Sequence, residues 1–82
     1  MDYTFKKIML YIKDFLNKIK FSGKFYQDDI TIYYHDRILN KLIPIKYKNI
    51  KREGNFLIKD NKSIPLHRIK EIRNKSIIIW RR

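Results

Sequence analysis

The sequence predicts an α+β fold, in which an N-terminal amphipathic helix packs on a curled antiparallel sheet of four to five strands. Apolar residues recur with a helical period as far as Phe21, and from Gln27 onward the period changes to two. Closing the sheet into a small barrel is the alternative within this class, because closure removes exposed strand edges. The 82 residues are predicted to form one domain over 1–82, with the helix in 1–22 and the sheet in 27–82.

The helix is predicted from an apolar stripe at i, i+3, i+4 and i+7 spacing. Its members are Phe5, Ile8, Met9, Ile12, Phe15, Leu16 and Ile19. Lysines lie off this stripe, and Gly23 is placed to end the helix. The same lysines interrupt every apolar run, so neither a signal peptide nor a membrane-spanning helix is expected. A helix lying on a membrane surface is the alternative, but a small domain needs this stripe for its core.

The sheet is predicted from four apolar segments. In the first, Ile30, Ile32 and Tyr34 alternate with polar or aromatic residues, which indicates a strand with one buried face. The others are 42–47, in which Pro44 favours a sheet edge, then 56–59 and 63–66.

Three further segments lack a regular alternation of apolar and polar residues. Residues 49–55 are predicted to form a turn or one short helical turn. Ile69 and Ile72 are three apart, which fits either a helical turn or a bulged strand. Residues 76–80 lack alternation and predict a central strand covered on both faces.

The charge balance favours a polyanionic partner. The chain has 20 Lys and Arg against 8 Asp and Glu, a formal charge of +12. AT-rich codon usage explains part of the lysine content, since alanine and valine are absent. Thermophilic enrichment in lysine would bring glutamate with it, and the only glutamates are Glu53 and Glu71. Most of the positive charge is therefore unpaired, which favours RNA or DNA over a merely solvated or acidic-protein-binding surface.

The composition also excludes several kinds of site. Without cysteine the chain has no disulfides and no thiolate metal ligands, which is compatible with a cytoplasmic protein. Two histidines and few acids argue against a buried zinc site, and no cofactor is expected. The sequence has no Gly-rich phosphate loop and no nucleophile elbow, so catalytic residues are not assigned.

Two short motifs combine histidine with arginine: His35-Asp36-Arg37 and His67-Arg68. Arginine offers a fork of donors to phosphate oxygens and histidine adds another donor, while Asp36 could orient its neighbours. In so basic a chain the same pairs also arise by chance as ordinary strand residues. If both rings flanked one phosphodiester, they would be the minimal equipment for acid–base cleavage of RNA.

Two aromatic residues are candidates for base stacking. Tyr33 is predicted on the outer face of the first strand, where a ring is available to a base. Trp80 ends an apolar run, so it fits a core position as well as a stacking platform.

Several of these residues resemble the signature of a small basic family of archaea, the RNA cyclic group end recognition domain. The resemblance is carried by Ile64-Pro65-Leu66-His67-Arg68-Ile69 and by Ile79-Trp80-Arg81-Arg82, with weaker support from Asp36-Arg37 and Leu16-Asn17-Lys18-Ile19-Lys20. It covers about residue 15 to the end of the sequence. Ile38-Leu39-Asn40-Lys41 stands where many members have a Gly-rich turn.

This resemblance implies a non-catalytic module that binds RNA ends carrying a 2′,3′-cyclic phosphate, alone or with RNA-processing proteins. We expect the phosphate to be held by Arg37, His67, Arg68 and Arg82, with Asp36 orienting Arg37 and His35 nearby. One alternative is a metal-independent cyclic phosphodiesterase that uses His35 and His67. The other is a basic assembly subunit of a ribonucleoprotein.

Overall fold

A computed structural model describes the backbone of residues 3–82 and the side chains from residue 11 onward. Helix α1 runs over Tyr3–Phe21. The predicted apolar stripe is confirmed where side chains are described, since Ile12, Leu16 and Ile19 are buried. Residues 1 and 2 of the predicted helix, and the side chains of Phe5, Ile8 and Met9, lie outside the described part. Gly23 follows the helix with a φ of 72°, the left-handed conformation expected where a helix stops.

Seven antiparallel strands follow the helix. They are β1 (Ile30–Asp36), β2 (Lys41–Lys46), β3 (Lys51–Glu53), β4 (Phe56–Lys59), β5 (Lys62–Pro65), β6 (Ile69–Asn74) and β7 (Ile77–Arg81). One sheet has the order β2-β1-β6-β7, and the other has the order β3-β4-β5. Short 3₁₀ turns at Gln27–Asp29, Tyr47–Asn49 and Leu66–Arg68 connect these elements.

The predicted fold class is wrong. The chain is mostly β: among residues 11–82, 49% are in strands and 28% in helices. It forms two sheets instead of one of four to five strands. Within residues 3–82 neither sheet closes into the predicted small barrel. The physical reason is the 3₁₀ turn at Leu66–Arg68, where the chain leaves the three-stranded sheet after β5 and enters the four-stranded sheet as β6.

Two local predictions fail with it. Residues 49–55 contain strand β3, whose Lys51-Arg52-Glu53 has no apolar residue to signal a strand and is held by pairing to β4. Strand β7 lies at an edge of the four-stranded sheet, not at its centre. Ile77 and Ile78 are accordingly exposed, by 67% and 41%.

Other predictions are confirmed. Strand β1 buries Ile30, Ile32 and Tyr34 on one face, and β2, with Pro44, forms a sheet edge. Ile69 and Ile72 belong to a bulged strand, because the pairing of β6 with β1 shifts by one residue between them.

The core joins the helix to both sheets. Its buried members come from α1, from β1, β2 and β6 of the larger sheet, from β4 and β5 of the smaller one, and from the turn between the sheets: Ile12, Leu16, Ile19, Ile30, Ile32, Tyr34, Ile45, Leu57, Ile64, Leu66, Ile69 and Ile72. Both chain segments that carry the histidine–arginine motifs are anchored in this core. In the part of the chain that the structure describes, no helix has the length and apolarity required to cross a membrane.

Candidate functional site

Both histidine–arginine motifs line one pocket on the surface. His35, Arg37, His67, Arg68 and Lys70 surround a cavity of about 210 Å³, called the cationic pocket below. Among its described lining residues there is no carboxylate, and three carry a permanent positive charge. The two motifs are about 30 residues apart in the sequence, and the sheet brings them together because β1 pairs with β6. An anion is the ligand that this arrangement favours.

The turn that carries His67 and Arg68 is fixed from three sides. Leu66 is fully buried, and its backbone N–H donates to the carbonyl of Asn55 at 2.9 Å. The guanidinium of Arg82 donates through Nη1 to the carbonyl of His67 and through Nη2 to the carbonyl of Leu66, the latter at 3.4 Å. The 3₁₀ turn therefore presents the side chains of His67 and Arg68 on a rigid support.

The turn that carries Arg37 is organised by Asp36. Its Oδ1 accepts hydrogen bonds from the backbone N–H groups of Ile38 and Leu39, both at 2.9 Å. These bonds lower the pKa of Asp36, the Leu39 bond most, and the positive charge of Lys62 at 3.6 Å acts in the same direction. Arg37 lies between Asp36 and the two residues that bond to it, and the role of Asp36 in orienting Arg37 stays a prediction.

Asn40 completes this turn. It takes a φ of 52°, a left-handed conformation that asparagine tolerates better than most residues, so the turn closes without glycine. Its Oδ1 lies 3.1 Å from Nε2 of His35. Because an amide oxygen only accepts, Nε2 of His35 carries the proton of this bond and the ring is held at the pocket.

Lys70 is a member of the pocket that the sequence analysis missed. Glu71 pairs with Tyr33 and Ile69 pairs with Tyr34, so Lys70 is the extra residue of a β-bulge in β6. A bulge re-aims one side chain, and here it leaves Lys70 exposed at the pocket. The unequal spacing of Ile69 and Ile72 was the available signal, but it did not say which residue would face the site.

The protonation of His67 is set by burial and by its cationic neighbours. Desolvation lowers the pKa of His67 from its ordinary value of 6.5, and Arg68, Arg82, Lys70 and Arg37 lower it further. His67 is therefore mainly neutral near pH 7. An anion bound in the pocket would reverse this effect, since a negative charge favours the imidazolium.

A second cavity of about 220 Å³ adjoins the cationic pocket and shares Arg37 and Arg68 with it. Asp36, Ile38 and Lys62 also line this second cavity. The extension offers room for a ligand larger than one phosphate group.

The remaining predicted site residues lie outside the lining of the cationic pocket. Arg82 contacts the pocket's supporting turn, and its guanidinium lies 5.7 Å from the ring centroid of Trp80. Trp80 is half-buried and packs against the core. Tyr33 is also half-buried, with the guanidinium of Arg73 over its ring at 4.8 Å. The stacking roles of Tyr33 and Trp80 stay predictions.

The described side chains contain no group of three or more His, Cys, Asp or Glu residues able to hold a metal ion. The donors at the pocket are guanidinium, ammonium and imidazole groups. These groups suit an oxyanion.

Comparison with known proteins decides the family. A family model described as the MJ1316 RNA cyclic group end recognition domain matches residues 9–82. The chain belongs to this family. The match includes every residue of the cationic pocket, and it begins somewhat before the predicted start at residue 15. No curated protein and no solved structure matches the chain.

Membership in the RNA cyclic group end recognition domain family supports RNA as the partner and RNA ends as the feature that is recognised. The phosphate is the group by which one kind of RNA end differs from another. It is negatively charged, so the positively charged lining of the cationic pocket agrees with an RNA end as the ligand.

Proposed function

We propose that this chain binds the 3′ end of RNA through the terminal phosphate and prefers a 2′,3′-cyclic phosphate. The observation that carries the proposal is the convergence of His35, Arg37, His67, Arg68 and Lys70 on one pocket. Arg37 and Arg68 supply planar forks for phosphate oxygens, and Lys70 adds a flexible point charge. The family name supports the same kind of ligand.

The size of the pocket favours a terminal group over a base. A cavity of about 210 Å³ is below the roughly 300–1,000 Å³ of pockets that bury small organic ligands. A phosphate and the edge of its ribose fit this volume, and the adjoining cavity behind Arg37 and Arg68 extends toward the rest of the terminal nucleotide.

Charge alone would not favour the cyclic end. A 3′-monophosphate carries close to two negative charges near pH 7, with a second pKa of about 6, whereas the cyclic diester carries one. A site that acted only through charge would therefore bind the open 3′-phosphate more tightly. The preference for the cyclic end is therefore supported by the family name and has to come from the shape of the pocket and the placement of its donors, not from its charge.

Binding of one fluorescent RNA oligomer in three forms tests the proposal. The ends are 2′,3′-cyclic phosphate, 3′-phosphate and 3′-hydroxyl, measured near physiological salt because RNA affinity depends strongly on salt. We expect the cyclic end to bind most tightly and the hydroxyl end least. Equal affinity for all three forms would reject end recognition and favour a basic assembly subunit.

A second function is favoured by one specific observation. His35 and His67 line the same pocket, which is the arrangement that a metal-independent cyclic phosphodiesterase requires. In such a reaction neutral His67 takes a proton from water as the water oxygen bonds to phosphorus. Protonated His35 gives a proton to the departing O2′, and the product is a 3′-phosphate.

The RNA recovered from the binding experiment separates the two functions. Conversion of the cyclic end to a 3′-phosphate by the wild type, and its loss in both His35→Ala and His67→Ala, would establish the enzyme. Recovery of unchanged cyclic RNA after prolonged incubation with excess protein would establish a binding module.

A further inference from the structure

A groove separate from the cationic pocket lies between helix α1 and strand β3. It has a volume of about 740 Å³ and is called the basic groove below. Its cationic residues are Lys13 and Lys20 of α1 and Lys51 and Arg52 of β3, with Tyr47 and Phe21 supplying aromatic surface. No carboxylate is among its described lining residues.

We propose that the basic groove binds the nucleotides of a single-stranded RNA that lie upstream of the bound end. The identity of the partner and the direction of the bound strand rest on the proposed function, whereas the groove itself shares no lining residue with the cationic pocket. A positively charged channel with aromatic rings is the combination that holds single-stranded nucleic acid without sequence preference.

The aromatic surface is available at the groove. Phe21 is 74% exposed at the end of α1, and Nζ of Lys20 lies 5.3 Å from its ring centroid. Tyr47 is half-buried beside Arg52; burial raises the pKa of Tyr47, and the charge of Arg52 opposes that rise. A base could therefore stack on an exposed ring while its phosphate contacts a neighbouring cation.

The walls of the basic groove are tied to each other. Nη1 of Arg52 donates to Oδ1 of Asn17 at 2.8 Å, which joins β3 to the C-terminal part of α1. This bond spaces the two cationic walls and occupies one donor of Arg52. The other cations of the groove have no carboxylate beside them in its lining, so they are available to phosphates.

The position of the groove fits a chain that continues from the cationic pocket. Strand β3 forms one edge of the three-stranded sheet and β5 forms the other. Lys51 and Arg52 of β3 line the groove, whereas residues 62–65 around β5 line the cavity that shares Arg37 and Arg68 with the cationic pocket. Strands β3 and β5 are thus about two strand spacings apart, roughly 10 Å, and the basic groove and the second cavity lie against opposite edges of this sheet. Nucleotides near the end can cover that distance.

The test compares two double variants of the whole 82-residue chain. Lys20→Gln with Lys51→Gln removes two charges from the groove. Lys46→Gln with Lys59→Gln removes two charges from outside the three described cavities, so net charge is matched. Each is measured with a cyclic-ended dinucleotide and with an eight-nucleotide RNA that has the same end.

The wild type should bind the longer RNA more tightly than the dinucleotide. The groove variant should lose most of that gain and keep its affinity for the dinucleotide. For the groove variant, the slope of log affinity against log salt concentration should become less steep by about 1.4, since each of the two lost phosphate contacts to a single strand contributes about 0.7. The control variant should retain the gain from length. Equal losses in both variants would overturn the proposal and indicate diffuse attraction.

Amide chemical shifts locate the contact independently. The longer RNA, but not the dinucleotide, should shift the backbone amides of Asn17, Gln27 and Gly54, which line the groove. A glutamate-rich peptide that reverses these shifts at an equal concentration of charge would overturn RNA as the occupant. Groove shifts together with equal affinity for all three RNA ends would reject the proposed function, and the groove would then stand as a site for single-stranded RNA without a fixed direction.

Discussion

The guanidinium of Arg82 donates a hydrogen bond to the backbone carbonyl of His67, 15 residues earlier in the chain. The backbone N–H of Arg82 also donates to the carbonyl of Lys70 at 3.0 Å, so Arg82 is bonded on both sides of the turn that carries Arg68. The sequence analysis assigned Arg82 to the phosphate, and that role stays a prediction. From these contacts we infer that Arg82 also holds the His67-Arg68 turn in place.

Arg82→Ala should therefore weaken end binding through the turn. Hydrogen bonds from a charged group contribute about 1.5–3 kcal/mol at buried sites, and less is expected here because Arg82 is exposed. The backbone amides of His67 and Arg68 should exchange faster in this variant, measured by hydrogen exchange without RNA. Arg82→Lys keeps a donor and should restore part of the protection. Weaker RNA binding with unchanged exchange would make Arg82 a direct phosphate ligand instead.

Arg68→Ala should reduce affinity for a cyclic-ended RNA by about 1–3 kcal/mol, the usual cost of losing a charge-assisted hydrogen bond. Arg68 lines both the cationic pocket and the adjoining cavity. Titration with the three end forms should show that Arg68→Ala reduces the preference among them. Lys13→Ala is the matched comparison, because Lys13 lines the basic groove and should weaken every RNA slightly. Equal behaviour of the two variants would leave only general RNA binding.

The sequence indicated four of the five residues that line the cationic pocket, but not the fold class. Arg37 and Arg68 stand beside histidines, and a local motif of this kind is readable without knowing the topology. The strand Lys51-Arg52-Glu53 has no apolar residue, so nothing local indicates that it pairs with β4. Residues 77–80 are apolar throughout, which is typical of central strands, yet β7 lies at an edge.

The contacts that support the site were not predictable for a related reason. Arg82 bonds to a backbone carbonyl, which every residue has, so no residue type identifies its partner. Lys70 enters the cationic pocket through a bulge that depends on the register between β1 and β6. Asn40 signals a turn in the sequence, but its bond to His35 depends on the left-handed conformation that it takes there.

Binding of a cyclic-ended RNA should strengthen as the pH falls from about 7.5 to about 5.5. The pKa of His67 lies below its ordinary 6.5 in the free protein because of burial and the neighbouring cations. A bound phosphate raises that pKa, so the complex holds more protons than the free protein and acid favours binding. The cyclic diester itself does not titrate in this range, unlike a 3′-phosphate with a second pKa of about 6.

In the variant His67→Gln, the affinity for the cyclic-ended RNA should lose the part of its pH dependence that comes from proton uptake by His67. Fluorescence anisotropy at several pH values measures the effect, and circular dichroism verifies folding at each one. Folding must be verified because the pKa of His67 is lowered in the folded state, so that the unfolded chain takes up the proton first. The contribution of His67 to stability is therefore present above pH 6.5 and decreases below it. A wild-type affinity that is constant over the range would exclude proton uptake by His67 on binding.

Asp36→Ala should loosen the turn that presents Arg37, because Oδ1 of Asp36 accepts from the N–H groups of Ile38 and Leu39. Asp36→Asn is the matched control, since it keeps an Oδ1 acceptor and loses only the charge that faces Lys62. The pKa of Asp36 is lowered in the folded state, so its contribution to stability is present above its ordinary value of 3.8 and is lost as the pH falls through the folded-state pKa. Urea midpoints at neutral and acidic pH should show the wild type losing more stability in acid than either variant.

At neutral pH, Asp36→Ala should bind the cyclic-ended RNA more weakly than Asp36→Asn, because only the alanine variant frees the Arg37 turn. Equal binding by the two variants would show that Asp36 acts through its charge and not through the turn.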